Sequence, residues 1–460
     1  MSGEADAPAA TGLRVRGFLE RHERAAIISL LLVGLVERIA WLSQQGPLKP
    51  FVCEMQQVAV SFAKTGVLGD AYFVGQGPTA HVGPVMPIIG GFIYRIFGVG
   101  TLTSEILLLA LALTFFGTAL IAFYAAFRRL GLAIEWRLIA LAAALILPLH
   151  FKFEVQSLRI WEGALAVALL ACNLLLVLRL DARPRLYARD YVAPAILGGL
   201  LALVNPPAAL GAYAALGILT LKRVAARHWV GVGFVMAVGL AVFIAPWAIR
   251  NERALGRPIL TRSNFPLEHA IAFHPDAVSP SDPRAVYVHR LVSIHPYSGE
   301  PVSAARDALA RVGELAYMDR LRAETTEWER AHPGDVVRIA ARHLLEFWLP
   351  PKWWWRIYND RTTMVAPRQI ITWTTALAAL GALVWGLVRE PLGPWLYVAC
   401  TLIIPSLPYA LVQPVQRYRY LVVVLTFFLA AEFASRICEL ASKRRLASSA
   451  VEAGGSSRTS

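Results

Sequence analysis

The 460-residue chain is 57% hydrophobic, has a mean hydropathy of +0.52 and carries a formal net charge of +14. A soluble domain of this size needs a polar surface, so the composition excludes an ordinary soluble enzyme and calls for a protein dissolved in lipid. The basic excess lies mostly in short connections between apolar runs, as in cytoplasmic membrane loops, so no nucleic-acid partner is expected.

Residues 1–24 are polar, include Arg14, Arg16, Arg21 and Arg24, and read as a cytoplasmic segment. The apolar run 25–42 follows without an A-x-A-like cleavage site and reads as a retained first span. Residues 44–84 form a first polar loop, and Val85–Phe97 is a short or re-entrant apolar segment. Runs 104–127, 137–149, 160–178 and 229–248 approach the ~20 residues a helix needs to cross a bilayer. Run 192–221 reads as two short helices broken at Asn205-Pro206-Pro207, because proline cannot continue the helical hydrogen-bond ladder. Residues 25–249 thus form an N-terminal transmembrane module, and 250–369 a large second polar loop. Runs 370–387, 394–412 and 421–434 make a C-terminal group within 370–437, and the Ser-, Ala- and Gly-rich tail 438–460 is expected to be disordered. Spanning helices satisfy their own backbone groups, so the expected fold is an all-α integral membrane protein of about ten transmembrane helices, or roughly nine to eleven.

Arginines cluster in connections 128–137, 179–190, 221–228 and 443–445, which the positive-inside rule places in the cytoplasm with the N-terminus. Under either count of the ambiguous segments, both polar loops and the connection 413–419 then face the other side. Four cysteines, at 53, 172, 400 and 438, show no zinc or disulfide spacing.

The first loop carries apolar residues at 51, 52, 55, 58, 59 and 62, the spacing of an amphipathic helix on a membrane surface. Glu54 and Asp70 are its acids, and Gly77-Pro78-Thr79-Ala80-His81 is a turn-rich return to the membrane. The second loop opens with Arg250, Asn251, Glu252, Arg253 and Arg257, then Arg262, Ser263 and Asn264. These form either a basic collar at the headgroups or a polar cup for a phosphate or sugar. Residues 304–330 and 334–348 read as two helices, and Trp348, Trp353, Trp354 and Trp355 as an interfacial belt or a groove for a lipid-linked substrate. Arg417 and Arg419 break the positive-inside rule, and their planar forks suit a phosphate. Glu154, Arg159 and Glu162 are ionisable residues near the ends of two spans. No His, Asp or Glu spacing argues for a metal, so no cofactor is expected, with a divalent cation left open.

Four stretches, read together in this order, carry a resemblance: the first loop with its acid and GPTAHVGPVMP; PWAIRNERALGRPILTRSNFPLEHA; GELAYMDRLRAETTEWERAHPGDVVRIAARHLLEFW; and QRYRY. The chain resembles the GT-C superfamily of membrane glycosyltransferases, in particular the bacterial branch related to protein O-mannosyltransferases and aminoarabinose transferases. The resemblance implies transfer of a sugar from a polyprenyl-phosphate donor to an acceptor on the outer face of a bacterial inner membrane, by inverting single displacement. It implies Glu54 as the base that activates the acceptor, with Asp70 as runner-up. Arg417 and Arg419, then Arg250 and Arg262, would hold the donor phosphate. His81, Asn251, Asn264 and Tyr418 would contact substrate. Membrane lipids and an acceptor of unknown identity are the other partners. Relatives carry Asp where Glu54 stands, which keeps a non-catalytic relative as one alternative. The other is a multi-span transporter or flippase of lipid-linked or anionic substrates. The Asn205-Pro206-Pro207 break favours it, but no internal repeat supplies a matching break.

Overall fold

Each apolar run of the sequence becomes helix, and the computed structural model describes residues 16–44, 48–50, 52–147, 149, 159–297, 303–357 and 362–456. In chain order the first helices are α1 (Glu23–Ser43), α2 (Glu54–Thr65), α3 (Val85–Phe97), α4 (Leu102–Arg129), α5 (Ile134–Ile146) and α6 (Gly163–Asp181). They are followed by α7 (Val192–Val204), α8 (Pro206–Arg223) and α9 (Trp229–Leu255). The second loop holds α10 (Phe265–Ala272), α11 (Pro283–Ile294), α12 (Ala304–Val312), α13 (Glu314–Ala331), α14 (Pro333–Trp348) and α15 (Lys352–Ile357). The chain ends with α16 (Thr362–Arg389), α17 (Trp395–Leu402), the 3-10 turns Ile404–Leu411 and Gln416–Arg419, and α18 (Tyr420–Ser456). The protein is an all-helical membrane protein. The segments Glu23–Ser43, Leu102–Arg129, Gly163–Asp181, Ala226–Leu255, Met364–Arg389 and Gln416–Arg444 are long and apolar enough to cross a bilayer, and Val85–Phe97 and Trp395–Leu411 are shorter apolar helices.

Burial sorts these helices into a centre and a rim. The apolar window of α6 is 78% buried, against 11% for α1 and 22% for Ala226–Leu255. Small residues on α6 (Gly163, Ala164, Ala166, Ala168, Ala171) let its neighbours approach closely, which is how helices associate where lipid removes the hydrophobic drive. Helix α4 packs along α6, and α18 contacts α4, α5, α6 and α16. A buried ion pair ties this centre to the loop side: Arg159 meets Glu105 of α4 at 2.5 Å, and Tyr94 of α3 donates to the same carboxylate at 3.0 Å. Glu154 lies outside the described residues.

The break expected at Asn205 is present. Its backbone is extended (φ −149°, ψ 95°), and its side chain accepts the Ala208 N–H at 3.1 Å, capping α8, whose first residues are prolines. Helices α3, α5 and α7 have 13 residues each. At 1.5 Å per residue each reaches about 20 Å, short of the ~30 Å hydrocarbon core.

The structure refines the sequence reading in four places. The helix expected over 304–330 divides at Gly313, whose φ of +84° ends α12 and aims α13 anew. The amphipathic helix of the first loop packs its apolar side on α3, where Gly90 and Gly91 remove side chains from the seam. A β-carbon on Gly91 would stand 2.5 Å from the Phe62 ring and 2.9 Å from the Ala59 carbonyl. Trp354 and Trp355 are fully buried, and Trp354 stacks on Trp353 at 3.9 Å and donates to Glu346 at 3.1 Å, so these rings pack inside the protein and form no headgroup belt. Helix α18 runs to Ser456, well into the tail expected to be disordered, because Ala, Leu, Lys, Arg and Glu are strong helix formers.

Helices α7 and α9 meet backbone to backbone. A β-carbon on Gly199 would stand 2.2 Å from the Gly239 carbonyl oxygen. Gly199→Val is therefore expected to cost about 1–3 kcal/mol and lower the thermal midpoint in detergent by several degrees. Gly217→Ala, at a position with open space around it, should leave the midpoint unchanged or raise it slightly.

Candidate active site

The two polar loops converge on a short strip of the first loop, residues 68–81. Its turn is closed by Asp70, which adopts φ +59°; its carboxylate accepts the Gly77 N–H at 3.0 Å and faces Ser61 Oγ at 3.4 Å. Asp70 and Gly77 also exchange a backbone bond at 2.9 Å. Both Asp70 oxygens are thus engaged in shaping the turn.

Thr79 and Ala80 are held from every side. The Thr79 N–H donates to Leu68 O at 3.1 Å, and the Ser263 N–H donates to Ala80 O at 2.9 Å. Arg250 of α9 donates to Thr79 O at 2.7 Å and to Leu68 O, and to Asn251 Oδ1 at 2.9 Å. Asn251 is fully buried and donates to Ile259 O at 2.7 Å. Glu314, the first residue of α13, accepts the Ala80 N–H at 3.1 Å, Ser263 Oγ at 2.6 Å, Gln76 Nε2 at 3.0 Å and the Thr79 hydroxyl. Burial raises the Glu314 pKa above the usual carboxylate range, against these donors and Arg250, which lower it.

This strip delivers His81 to a polar cluster. Glu54 opens α2 behind Cys53, His295 follows α11, and ligand atoms of Glu54, His81 and His295 all lie within 4.8 Å of one another. His295 Nε2 stands 3.3 Å from Glu54 Oε1. His295 Nδ1 accepts the Tyr297 N–H at 3.2 Å, which leaves Nε2 as the ring nitrogen that faces Glu54. His81 Nδ1 lies 2.7 Å from the Tyr72 hydroxyl. Burial works to raise the Glu54 pKa, but His295, His81, its own backbone N–H and Arg417 together outweigh it and hold the carboxyl below its usual range. Burial pushes His81 down to about 3, so its ring is neutral at pH 7. The cluster is therefore an ionised carboxylate beside two imidazoles, with His295 Nδ1 already taken by the Tyr297 N–H. A cation held by all three side chains would use the His295 Nε2 that faces Glu54.

A second group lies at the turn Gln416–Arg419. Arg417 sits over the Trp161 ring at 4.3 Å and over Tyr418 at 5.3 Å, and its charge is felt at both Glu54 and His81. Tyr418 stacks on Tyr409 at 4.7 Å. Arg419 is 1% exposed, and none of its three guanidinium nitrogens has a hydrogen-bond partner among the described residues. Beside Tyr418 a cavity of about 290 Å³ opens at the α7–α8 break, lined by Glu162, Asn205, Arg262, Asn264 and Glu268 among others. Arg262 pairs with Glu162 at 2.8 Å and donates to the free Val204 carbonyl at the break.

Of the residues singled out in the sequence, the structure brings Glu54 and His81 together, with Arg417 in electrostatic range. It puts Asn264 and Tyr418 on the cavity wall. Asp70 is committed to a turn, Arg250 and Asn251 to the strip, and Arg262 to Glu162 and Val204. Sequence reading missed His295, Tyr72 and Glu314. His295 had no local signal, since it joins Glu54 only through the fold. Glu314 had one: an acid directly after a glycine at a helix start.

No family model and no curated protein matches the sequence. Among solved structures the chain is similar to the oligosaccharyltransferase AglB of Archaeoglobus fulgidus in complex with an inhibitory peptide and a dolichol-phosphate. The TM-score is 0.53 at 15% identity, covering 93% of this chain and 52% of that one. The same oligosaccharyltransferase tethered to an acceptor peptide gives 0.50 at 14% identity, covering 92% and 50%. ArnT of Cupriavidus metallidurans in the apo state gives 0.36 at 16% identity, covering 92% and 77%. This chain spans about half the length of the archaeal enzyme. The likeness is one of fold: the chain is built like about half of the archaeal oligosaccharyltransferase.

An unpartnered buried guanidinium is costly to the folded state. Arg419→Met is therefore expected to stabilise the protein by about 1–4 kcal/mol, read as a raised thermal midpoint in detergent. An unchanged or lowered midpoint would mean that the charge is already compensated.

Proposed function

We propose that this chain, built on the GT-C fold, is a glycosyltransferase. It moves a sugar from a polyprenyl-phosphate donor to a lipid, glycan or protein acceptor. The reaction takes place on the non-cytoplasmic face of a bacterial inner membrane, with the N-terminus in the cytoplasm. The observation that carries this reading is Glu54: a carboxylate kept ionised although its side chain is only 12% exposed, faced by His295 Nε2 at 3.3 Å and within range of the Arg417 charge.

The chemistry follows from that pairing. The free Glu54 oxygen takes the proton of the acceptor hydroxyl or amine as that atom attacks the anomeric carbon. The bond between the anomeric carbon and the phosphate oxygen breaks on the opposite side, its electron pair leaves with the polyprenyl phosphate, and configuration inverts. His295 fixes the direction of the Glu54 carboxylate through its Nε2. Arg417 and Arg419 bind the departing phosphate, which needs no proton because it leaves as a stable anion. The 290 Å³ cavity at the α7–α8 break lies beside Tyr418 and takes the donor head group. The acceptor approaches through the cavity of about 370 Å³ between the first loop and α12–α13. No metal is assigned to Glu54, His81 and His295, whose ligand atoms lie within 4.8 Å of one another, and the chelator experiment below tests that assignment.

In liposomes holding the purified protein, radiolabelled polyprenyl-phosphate sugars and a membrane extract, Glu54→Gln is expected to slow transfer at least ~100-fold. Full activity of that variant, with loss in Asp70→Asn, would move the base to Asp70. No consumption of donor under any condition would favour a transporter or flippase, or a non-catalytic relative. In the same assay a divalent-cation chelator is expected to leave the rate unchanged. Loss of the rate, restored by added cation, would make Glu54, His81 and His295 a cation site.

A further inference from the structure

Glu314 belongs to neither the donor site nor the base, yet it is the most heavily hydrogen-bonded carboxylate among the described residues. Four donors reach its two oxygens, and they come from two separate segments: Gln76, Thr79 and Ala80 of the first loop, and Ser263 after α9. All four can act as donors, so the ionised acid satisfies every one of them. The side chain is 6% exposed, which makes each of these bonds strong and each missing one costly.

The consequence reaches the cluster through one atom. The Thr79 hydroxyl donates to Glu314 and accepts the His81 N–H at 3.0 Å. Glu314 thus sets Thr79, and Thr79 sets the backbone from which the His81 ring projects toward Tyr72 and Glu54. On the far side of the same residue, Arg250 holds the Thr79 carbonyl at 2.7 Å. With Thr79 gripped on both faces, His81 cannot shift without breaking a buried charged contact. Helix α13, which carries Glu314, starts only because Gly313 turns the chain at φ +84°. The division of the expected 304–330 helix is what places the acid.

We infer that Glu314 is a positioning residue: through Thr79 and Ala80 it holds His81 in place beside Glu54 and so couples the second loop to the cluster. This rests on the reading that the Glu54 cluster is the working site, and its test needs no turnover.

The test uses the full chain in detergent, comparing wild type with Glu314→Gln by hydrogen exchange and by carbethoxylation of histidines with diethyl pyrocarbonate, both read by mass spectrometry. In Glu314→Gln one oxygen becomes an NH₂ facing donors. Backbone exchange over residues 72–84 is expected to rise at least tenfold. His81, 3% exposed in the native chain, should become modified at least tenfold faster. His343 is the control: it is 1% exposed, packed against Phe273 and Ala410, and should stay unreactive. Should Glu314→Gln fail to fold, Thr79→Val carries the test, since it removes the relay atom and leaves the acid in place. The inference is overturned if residues 72–84 and His81 keep their protection in either folded variant. It is equally overturned if His343 and the membrane helices lose protection in parallel, which would mean general destabilisation. A variant that loses protection at His81 while transfer is absent even in wild type would uphold the positioning role and sink the glycosyltransferase reading instead.

Discussion

A buried carboxylate and a half-buried guanidinium, Glu314 and Arg250, both hold Thr79, one at its hydroxyl and the other at its carbonyl. Charges drawn away from water are tolerated only when their hydrogen bonds are complete, so neither can be satisfied until three distant pieces of chain have met. Those pieces are the return strand of the first loop, the end of α9 with its following turn, and the start of α13. Once they are joined, the position of His81 follows from the backbone, and the meeting of His81, Glu54 and His295 follows from that. The local order of the loops is thus electrostatic in origin, while the membrane helices below are ordered by close packing of small residues.

The two regimes meet at the break between α7 and α8. Ending α7 at Val204 frees backbone carbonyls at membrane depth, and one is taken by Arg262, which also answers Glu162. Irregular backbone is tolerated at that depth only where protein or a lined cavity satisfies it. A β-carbon on Gly83 would stand 2.9 Å from the Leu203 carbonyl oxygen, so the first loop also returns against this same break. The cavity beside Tyr418 is the remaining opening, and its wall mixes tyrosine, amide and carboxylate in the way a polar ring on an apolar tail requires.

How much of this could be read beforehand depended on how local each signal was. The apolar runs, the Asn205-Pro206-Pro207 break and the short segment Val85–Phe97 are each written in consecutive residues, and each appears where expected. Glu54 stood out as an acid of the first outer loop, where the resemblance implies a base. His295 could not stand out, because 241 residues separate it from Glu54 and no periodicity links them. Arg250 and Arg262 have the chemistry of phosphate ligands, and only the structure shows that backbone carbonyls and Glu162 hold them. The tryptophans near residue 354 mislead for a similar reason. The same rings serve equally well at a headgroup and in a protein core, and the choice is made by what packs over them. Gly313 was the subtlest case: a lone glycine can sit inside a helix, and the positive φ that ends α12 shows only in the fold.

The three 13-residue helices have one more consequence, for the lipid around them. Helix α3 exposes Phe92 and Ile96 on its surface while reaching only about two-thirds of the hydrocarbon thickness. A bilayer meeting so short an apolar wall thins beside it and does not leave its acyl chains against polar backbone. The first-loop helix α2 packs along this same short α3. A change in the acyl length of the surrounding lipids would therefore be felt first at the seam between α2 and α3, which couples bilayer thickness to the order of the first loop.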